Sequence, residues 1–324
     1  MNCYRFLNTS LMLIASLVTF TAHAQQAYPE KPIKLIVPWP AGGSSDTAAR
    51  LIAKHLQDRL KQTVLVDNKP GASGNIGTLA VAKAAPDGYT LLLSSGPFSV
   101  NPSLYRSLPF NTLRDFTPVA QVSLIPSVLV VLPSFSASSM TEFVALAKNK
   151  SAPMAYASPG NGTAQHLAME LLRQKADLSL THIPYKGGAP ALSDLLGGQV
   201  PALISGFPEV ATYLKTSKLR ALAVTTATRS SFLPDVPSLL ELGLADSGSA
   251  GWSGFHAPAG TSPEIIKILN REINDILAMQ SVRDQLVGLG FDVRRGTPQE
   301  FGTFVNQQIE RWSQAVAISG AKVD

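Results

Sequence analysis

Cysteine is the scarcest residue of the chain: one thiol, Cys3, among 324 residues. A single thiol excludes a disulfide framework, and its place ahead of the first apolar run argues against a lipid-modified N-terminal cysteine. Charge is thin as well, at 15% of residues with a formal net charge of +5, and no basic run exceeds Arg294-Arg295. That pattern lacks the clustered stripe of a nucleic-acid face, so no nucleic-acid partner is expected. The mild positive excess acts instead as a weak long-range attraction for small anions. After residue 24 no apolar run is long enough to cross about 30 Å of hydrocarbon.

Enzyme chemistry is equally hard to find. Gly251-Trp252-Ser253-Gly254-Phe255 approaches a nucleophile elbow, but its last position is Phe255 and the segment reads as a strand. Gly160-Asn161-Gly162-Thr163-Ala164-Gln165 begins like a dinucleotide fingerprint, yet Gln165 replaces the final small residue. His55, His166, His182 and His256 lack metal-ligand spacing. The expectation is therefore no metal, no cofactor and no catalytic residue; a secreted hydrolase with a non-standard active site is the alternative.

What the chain does contain begins with an export signal. Arg5 supplies a positive start, Leu11 to Phe20 an apolar stretch, and Ala22-His23-Ala24 a cleavage site. Residues 1–24 are thus expected to be removed after Ala24, with the mature chain in the periplasm. The remaining length suffices for two domains with substantial cores.

Two glycine-bearing turns stand out, Pro38-Trp39-Pro40-Ala41-Gly42-Gly43-Ser44-Ser45-Asp46 and Ser158-Pro159-Gly160-Asn161-Gly162-Thr163, each between a strand-like and a helix-like run. A helix start presents backbone N–H groups without intrahelical partners, and the helix dipole adds partial positive charge, so each turn favours a small anion. The runs around them alternate. Ile33 to Val37 reads as a strand, Ser45 to Leu60 as a helix with Ala48, Ile52, Leu56 and Leu60 on its apolar face, and Thr63 to Val66 and Tyr89 to Ser94 as further strands. This grammar implies a parallel, helix-covered sheet. It restarts near Ser127, with strands at Val128 to Leu132, Met154 to Ala157, Val200 to Ser205 and Leu219 to Thr225, and a helix at Pro190 to Leu196. Trp252 to Ala257 reads as a strand returning to the first unit, Ser262 caps a helix from Pro263, and Thr297-Pro298-Gln299-Glu300 opens the last helix as a capping box. Two α/β units leave a cleft at the carboxyl ends of their strands, where both turns fall.

Several ordered motifs together resemble one family. They are Tyr28-Pro29-Glu30-Lys31-Pro32-Ile33 leading into Val37 to Gly43, Asn68-Lys69-Pro70-Gly71-Ala72-Ser73-Gly74-Asn75-Ile76-Gly77, Pro86-Asp87-Gly88-Tyr89-Thr90, Pro184-Tyr185-Lys186-Gly187-Gly188, and Trp252 to Thr261. The mature chain resembles the receptors of tripartite tricarboxylate transporters, the Bug-type periplasmic solute receptors.

The resemblance implies an α/β, two-domain periplasmic-binding-protein fold of the Venus-flytrap, type II-like kind. Domain 1 would comprise 25–124 and 251–324, with the placement of helix 298–319 open, and domain 2 would comprise 125–250. It also implies a monomer that captures a small organic carboxylate and delivers it to tripartite transporter membrane subunits. Carried over by position, Ala41, Gly42, Gly43, Ser44 and Asp46 form one jaw, and Ser158, Asn161, Gly162 and Thr163 the other. Trp39 stands where an aromatic covers the ligand, or else packs in the core. Ser94 and Ser95 end a strand at the same rim and either donate hydroxyls to ligand or cap the turn. One departure is notable: relatives commonly carry aspartates where this chain has Pro201 and Ser205. A neutral Ser205 would donate to a carboxylate and disfavour amino-acid ligands.

Overall fold

The apolar run at Ile33–Val37 forms strand β1, buried at every position but Lys34, because helices cover both of its faces. A computed structural model describes residues 28–319 except 186, 246 and 247; the expected signal peptide lies outside the described residues. Helix α1 (Ser44–Leu60) buries Ala48, Ile52 and Leu56. Strand β2 (Val64–Asn68), helix α2 (Asn75–Ala82) and strand β3 (Thr90–Ser95) follow, and β2 and β3 flank β1 in parallel.

Helix α3 (Gly96–Leu104) and the ten-residue strand β4 (Phe116–Ile125) then lead to a second series. It runs β5 (Ser127–Val131), α4 (Met140–Ala147), β6 (Met154–Ser158), α5 (Ala164–Lys175), β7 (Leu180–Pro184), α6 (Gly188–Leu196), β8 (Ala202–Gly206), α7 (Phe207–Lys215) and β9 (Arg220–Val224). The chain returns through β10 (Gly251–Pro258), α8 (Pro263–Ala278), α9 (Gln280–Gly288), β11 (Asp292–Val293) and α10 (Pro298–Ser319).

The strands form two sheets, one in the order β11-β4-β10-β3-β1-β2 and the other β7-β6-β8-β5-β9. The parallel pairing read for the first alternation holds for β1, β2 and β3, and antiparallel strands make both sheets mixed. In the first, β10 runs antiparallel between β3 and β4; in the second, β5 runs antiparallel to β8 and β9 while β6 is parallel to β7 and β8. The chain crosses from β4 of one sheet to β5 of the other through Pro126 alone, with no helix between.

Each face of the second sheet carries its own core. Met140, Phe143, Met169 and Leu172 of α4 and α5 pack on one side, and Ala191, Leu195, Phe207 and Val210 of α6 and α7 on the other. Helix α10 begins with the capping box: the Thr297 N–H donates to Glu300 Oε2 at 2.7 Å, and the Glu300 N–H donates to Thr297 Oγ1 at 3.1 Å. Its Phe301 and Val305 join Trp252 in the core of the first sheet. Two to three turns later, Trp312, Ala315 and Val316 pack with Val100 and Leu104 of α3 and with Leu167 of α5. One helix thus contributes to the core of the first half and to the junction with the second.

The seat of α10 depends on Gly254. A Cβ built there would collide with the Phe301 ring and stand 2.8 Å from the Ala120 carbonyl oxygen in the neighbouring strand. Gly254→Ala is therefore expected to destabilise the protein by about 1–3 kcal/mol, the range for an extra methyl forced into a packed core. Urea unfolding followed by circular dichroism checks this; an unchanged midpoint would mean that α10 shifts freely.

Candidate functional site

The two glycine turns lie at the carboxyl ends of β1 and β6, where α1 and α5 begin. In the first turn Ala41, Gly42 and Gly43 are exposed. Gly42 has φ +85°, and nothing stands within 4 Å of where its Cβ would be. Gly43 is the N-cap of α1 and offers no side-chain cap, so among the described residues no capping side chain takes the first-turn amides of that helix. Ser44 opens the helix with its backbone; its side chain lies outside the description.

The turn is held from behind by Asp46, which is only 3% exposed. Its Oδ2 accepts the Gly42 N–H and the Arg50 Nε–H, each at 2.9 Å, and its Oδ1 accepts from Asn68 Nδ2 at 2.9 Å. Burial works to raise the Asp46 pKa, but the hydrogen bonds from Arg50, Gly42 and Asn68 and the Arg50 charge outweigh it and hold the carboxyl below its ordinary value. Asp46 thus braces the jaw of the first turn from inside as an ionised carboxylate. Trp39 is half-buried; its indole N–H donates to Ser95 Oγ at 3.1 Å and its carbonyl accepts from Asn68.

The second turn is held differently. Ser158 is fully buried, and its hydroxyl bonds Gly160 O and lies 2.6 Å from His182 Nε2. Thr163 Oγ1 donates to Gly160 O at 2.8 Å and accepts the His166 N–H, capping α5. The Gly162 N–H donates to His166 Nδ1 at 3.1 Å. Gly162 has φ +69°, and a Cβ there would stand 2.9 Å from Leu104 Cδ1, so packing against α3 accounts for the missing side chain. Asn161 alone of this turn is exposed.

Behind the turn, His166 stacks on His182 at 3.9 Å between ring centroids and 12° between planes, and Tyr156 also stacks with His182, at 5.0 Å. The Tyr156 hydroxyl donates to Glu170 Oε1, whose partner oxygen is paired with Arg173. Burial lowers both imidazole pKa values, that of His182 to about 4 with help from the His166 charge, while Glu170 opposes the shift. The spacing of Gly162 and His166 was the available sequence signal for this brace; the pairing with His182 comes from the neighbouring strand and had none.

Contacts link the turns. Pro38 lies 3.4 Å from the Cβ position of Gly74, Asn101 of α3 donates to the Ser73 carbonyl and to Asn75 Oδ1, and Leu104 of the same helix meets Gly162. The rim thus runs from the first turn along α3 to the second. Ser94 is buried, with its hydroxyl engaged by Gly254 O and His256 Nδ1, so it supports the rim from inside.

Ser205 is also fully buried, and its hydroxyl donates to Glu209 in the first turn of α7. The hydroxyl expected to donate to a ligand carboxylate is here engaged by a carboxylate of the chain itself, from the next helix. Sequence reasoning passed over Glu209 because it read no helix at 207–215.

A groove of about 830 Å³ lies elsewhere, lined by Thr117, Pro118, Ile266, Lys267, Asn270 and Asn306 among others. Thr117 pairs with Ala257 at the far end of β10 from the Ser253–Ser95 pair, so the groove opens opposite the rim. The Ser253 hydroxyl meets that of Ser123 at 2.8 Å inside the sheet, where no nucleophile can act.

Residues 48–320 match the family described as "Tripartite tricarboxylate transporter family receptor". Protein BugT of Bordetella pertussis is 40% identical over the whole of both chains. Among solved structures, a TctC solute binding protein from Polaromonas is 33% identical with TM-score 0.82, covering 90% of this chain and 99% of its own. Rpa4515 of R. palustris with adipate is 33% identical with TM-score 0.75, covering 90% and 98%.

The His166–His182 brace has a signed pH dependence. Both rings are neutral in the fold at values below the ordinary 6.5, so the unfolded chain takes up protons first. The stability they carry is complete above about pH 6.5 and is lost as pH falls toward about 4. Buried His256, pushed down to about 3, adds a slope of the same sign. The melting temperature is expected to drop across this window, and His182→Gln to flatten the drop in part. Parallel melting curves for both proteins from pH 7 to 4 would refute the brace.

Proposed function

The chain belongs to the tripartite tricarboxylate transporter receptor family, and from that premise we propose that it captures a small organic carboxylate between its two sheets and delivers it to tripartite transporter membrane subunits. Receptors of this family are periplasmic solute-binding proteins rather than enzymes. No helix among the described residues is long and apolar enough to cross a membrane. In this reading the chain is exported by residues 1–24, cleaved after Ala24, and works as a monomer with domains 25–124 plus 251–324 and 125–250.

The observation that carries the reading is the first glycine turn. It combines exposed backbone at Ala41 to Gly43, an α1 start without a side-chain cap, and a buried anionic brace behind. A carboxylate in front of the turn would receive the amides that Gly43 leaves uncapped. Trp39 and Ser95 flank it as one hydrogen-bonded pair, and the exposed Asn161, beside a Gly162 whose amide is already held by His166, meets the ligand from the other sheet. Asp46, Ser94, Ser158, Thr163 and Ser205 shape these surfaces from inside. The adipate bound by a neighbour of 33% identity supports a carboxylate as cargo.

Gly42→Ala tests this cleanly, since no atom stands within 4 Å of the new methyl and only the left-handed backbone strains, at about 1 kcal/mol. Ligand affinity measured by calorimetry is expected to fall at least tenfold while the circular-dichroism spectrum is kept. Undiminished affinity would remove the turn from the ligand surface.

A further inference from the structure

We propose that Glu209 is a specificity-determining residue of this cleft: its carboxylate makes the second-sheet rim favour acids that also present a hydrogen-bond donor, an ammonium or a hydroxyl, over plain carboxylates. The inference rests on the receptor reading above and deepens it by naming the ligand class.

Three elements build the seat of this group. The fully buried Ser205, at the end of β8, donates its hydroxyl to Glu209 Oε2. Gly188, the first residue of α6, lies so close that a Cβ there would collide with the carboxylate. Glu209 itself stands in the first turn of α7, where the helix dipole favours a negative charge. The carboxylate is thus pinned on one oxygen, while the residue remains exposed and Oε1 has no hydrogen-bond partner among the described residues.

The position belongs to the same rim as the second turn. Strand β8 neighbours β6 in parallel, with Ala157 opposite Leu203, so Ser158 and Ser205 end at one edge. Gly206 lies within 4 Å, at its Cβ position, of both Gln165 at the start of α5 and Ile125 at the crossing between sheets. An ionised carboxylate only accepts hydrogen bonds and repels like charge. A ligand whose acid end lies on the uncapped amides of the first turn therefore meets an acceptor at its other end. An ammonium or hydroxyl satisfies that acceptor; a second carboxylate opposes it.

The test is a calorimetric comparison of matched acids: succinate, malate and aspartate; glutarate and glutamate; propionate, lactate and alanine. The parent protein is expected to bind an amino or hydroxy member at least tenfold more tightly than its plain counterpart. Glu209→Gln should shrink that ratio at least fivefold with an unchanged circular-dichroism spectrum, and Gly188→Ala, which pushes the carboxylate off its seat without removing it, should shrink it too. An effect on amino acids alone identifies an ammonium, and one on hydroxy acids alone a hydroxyl. Equal binding of plain and substituted acids by the parent, or a ratio untouched by Glu209→Gln, overturns the inference and leaves the receptor reading standing. No binding of any acid overturns both.

Discussion

Backbone amides at a helix start must find an acceptor, and an amide shut away without one costs about 1–3 kcal/mol. The two glycine turns meet this demand in opposite ways, and the rim follows from the difference. At the second turn the demand is met from within: Thr163 caps α5 and the His166 ring takes the Gly162 amide. At the first, Asp46 reaches back only to Gly42, and the amides of α1 that face outward have no side-chain cap. One turn is a closed wall and the other an open cradle.

Asp46 can do this because Arg50 and Asn68 surround it with donors. A carboxylate so deeply buried would otherwise take up a proton, and a neutral acid would hold the Gly42 amide weakly. Arg50 also bonds Asn68 Oδ1, so α1 and the end of β2 are fixed to the turn together. Adding bulk at Gly42 and removing charge at Asp46 are consequently different perturbations, one of the surface a ligand meets and the other of its foundation.

Much of the architecture was legible where one physical signal dominated. The run Ile33 to Val37, the restart near Ser127 and the Thr297 capping box are local patterns, and each forms the element it implies. Helix α3 was hidden by Pro97 at its start and Pro102 inside it, and β4 by the polar Gln121 and Ser123 that interrupt its apolar residues. With β4 unread, the antiparallel half of the first sheet could not be foreseen. The site shows the same division. That glycine turns end β1 and β6 is readable from flanking patterns, but the meaning of each glycine is not: Gly42 borders open space, while Gly162 yields to Leu104 from 58 residues earlier in the chain. Likewise Ser205 reads as a free hydroxyl until α7 brings Glu209 beside it.

The asymmetry of the rim also gives a ligand its direction. The open cradle at α1 concentrates partial positive charge from helix amides, whereas the opposite sheet ends in a fixed negative charge seated against Ser205 and Gly188. In the proposed receptor, an amino acid placed acid-first toward α1 would have both charges aligned with this field, and a hydroxy acid would have its one charge aligned and its hydroxyl free to donate to the far carboxylate. Helix α10 strengthens the distinction, because Trp312 and Val316 pack with Leu104 and Leu167 at the junction and hold the two halves in one register. In the proposed receptor, this packing is what would set the separation between the positive and negative ends that a ligand has to span.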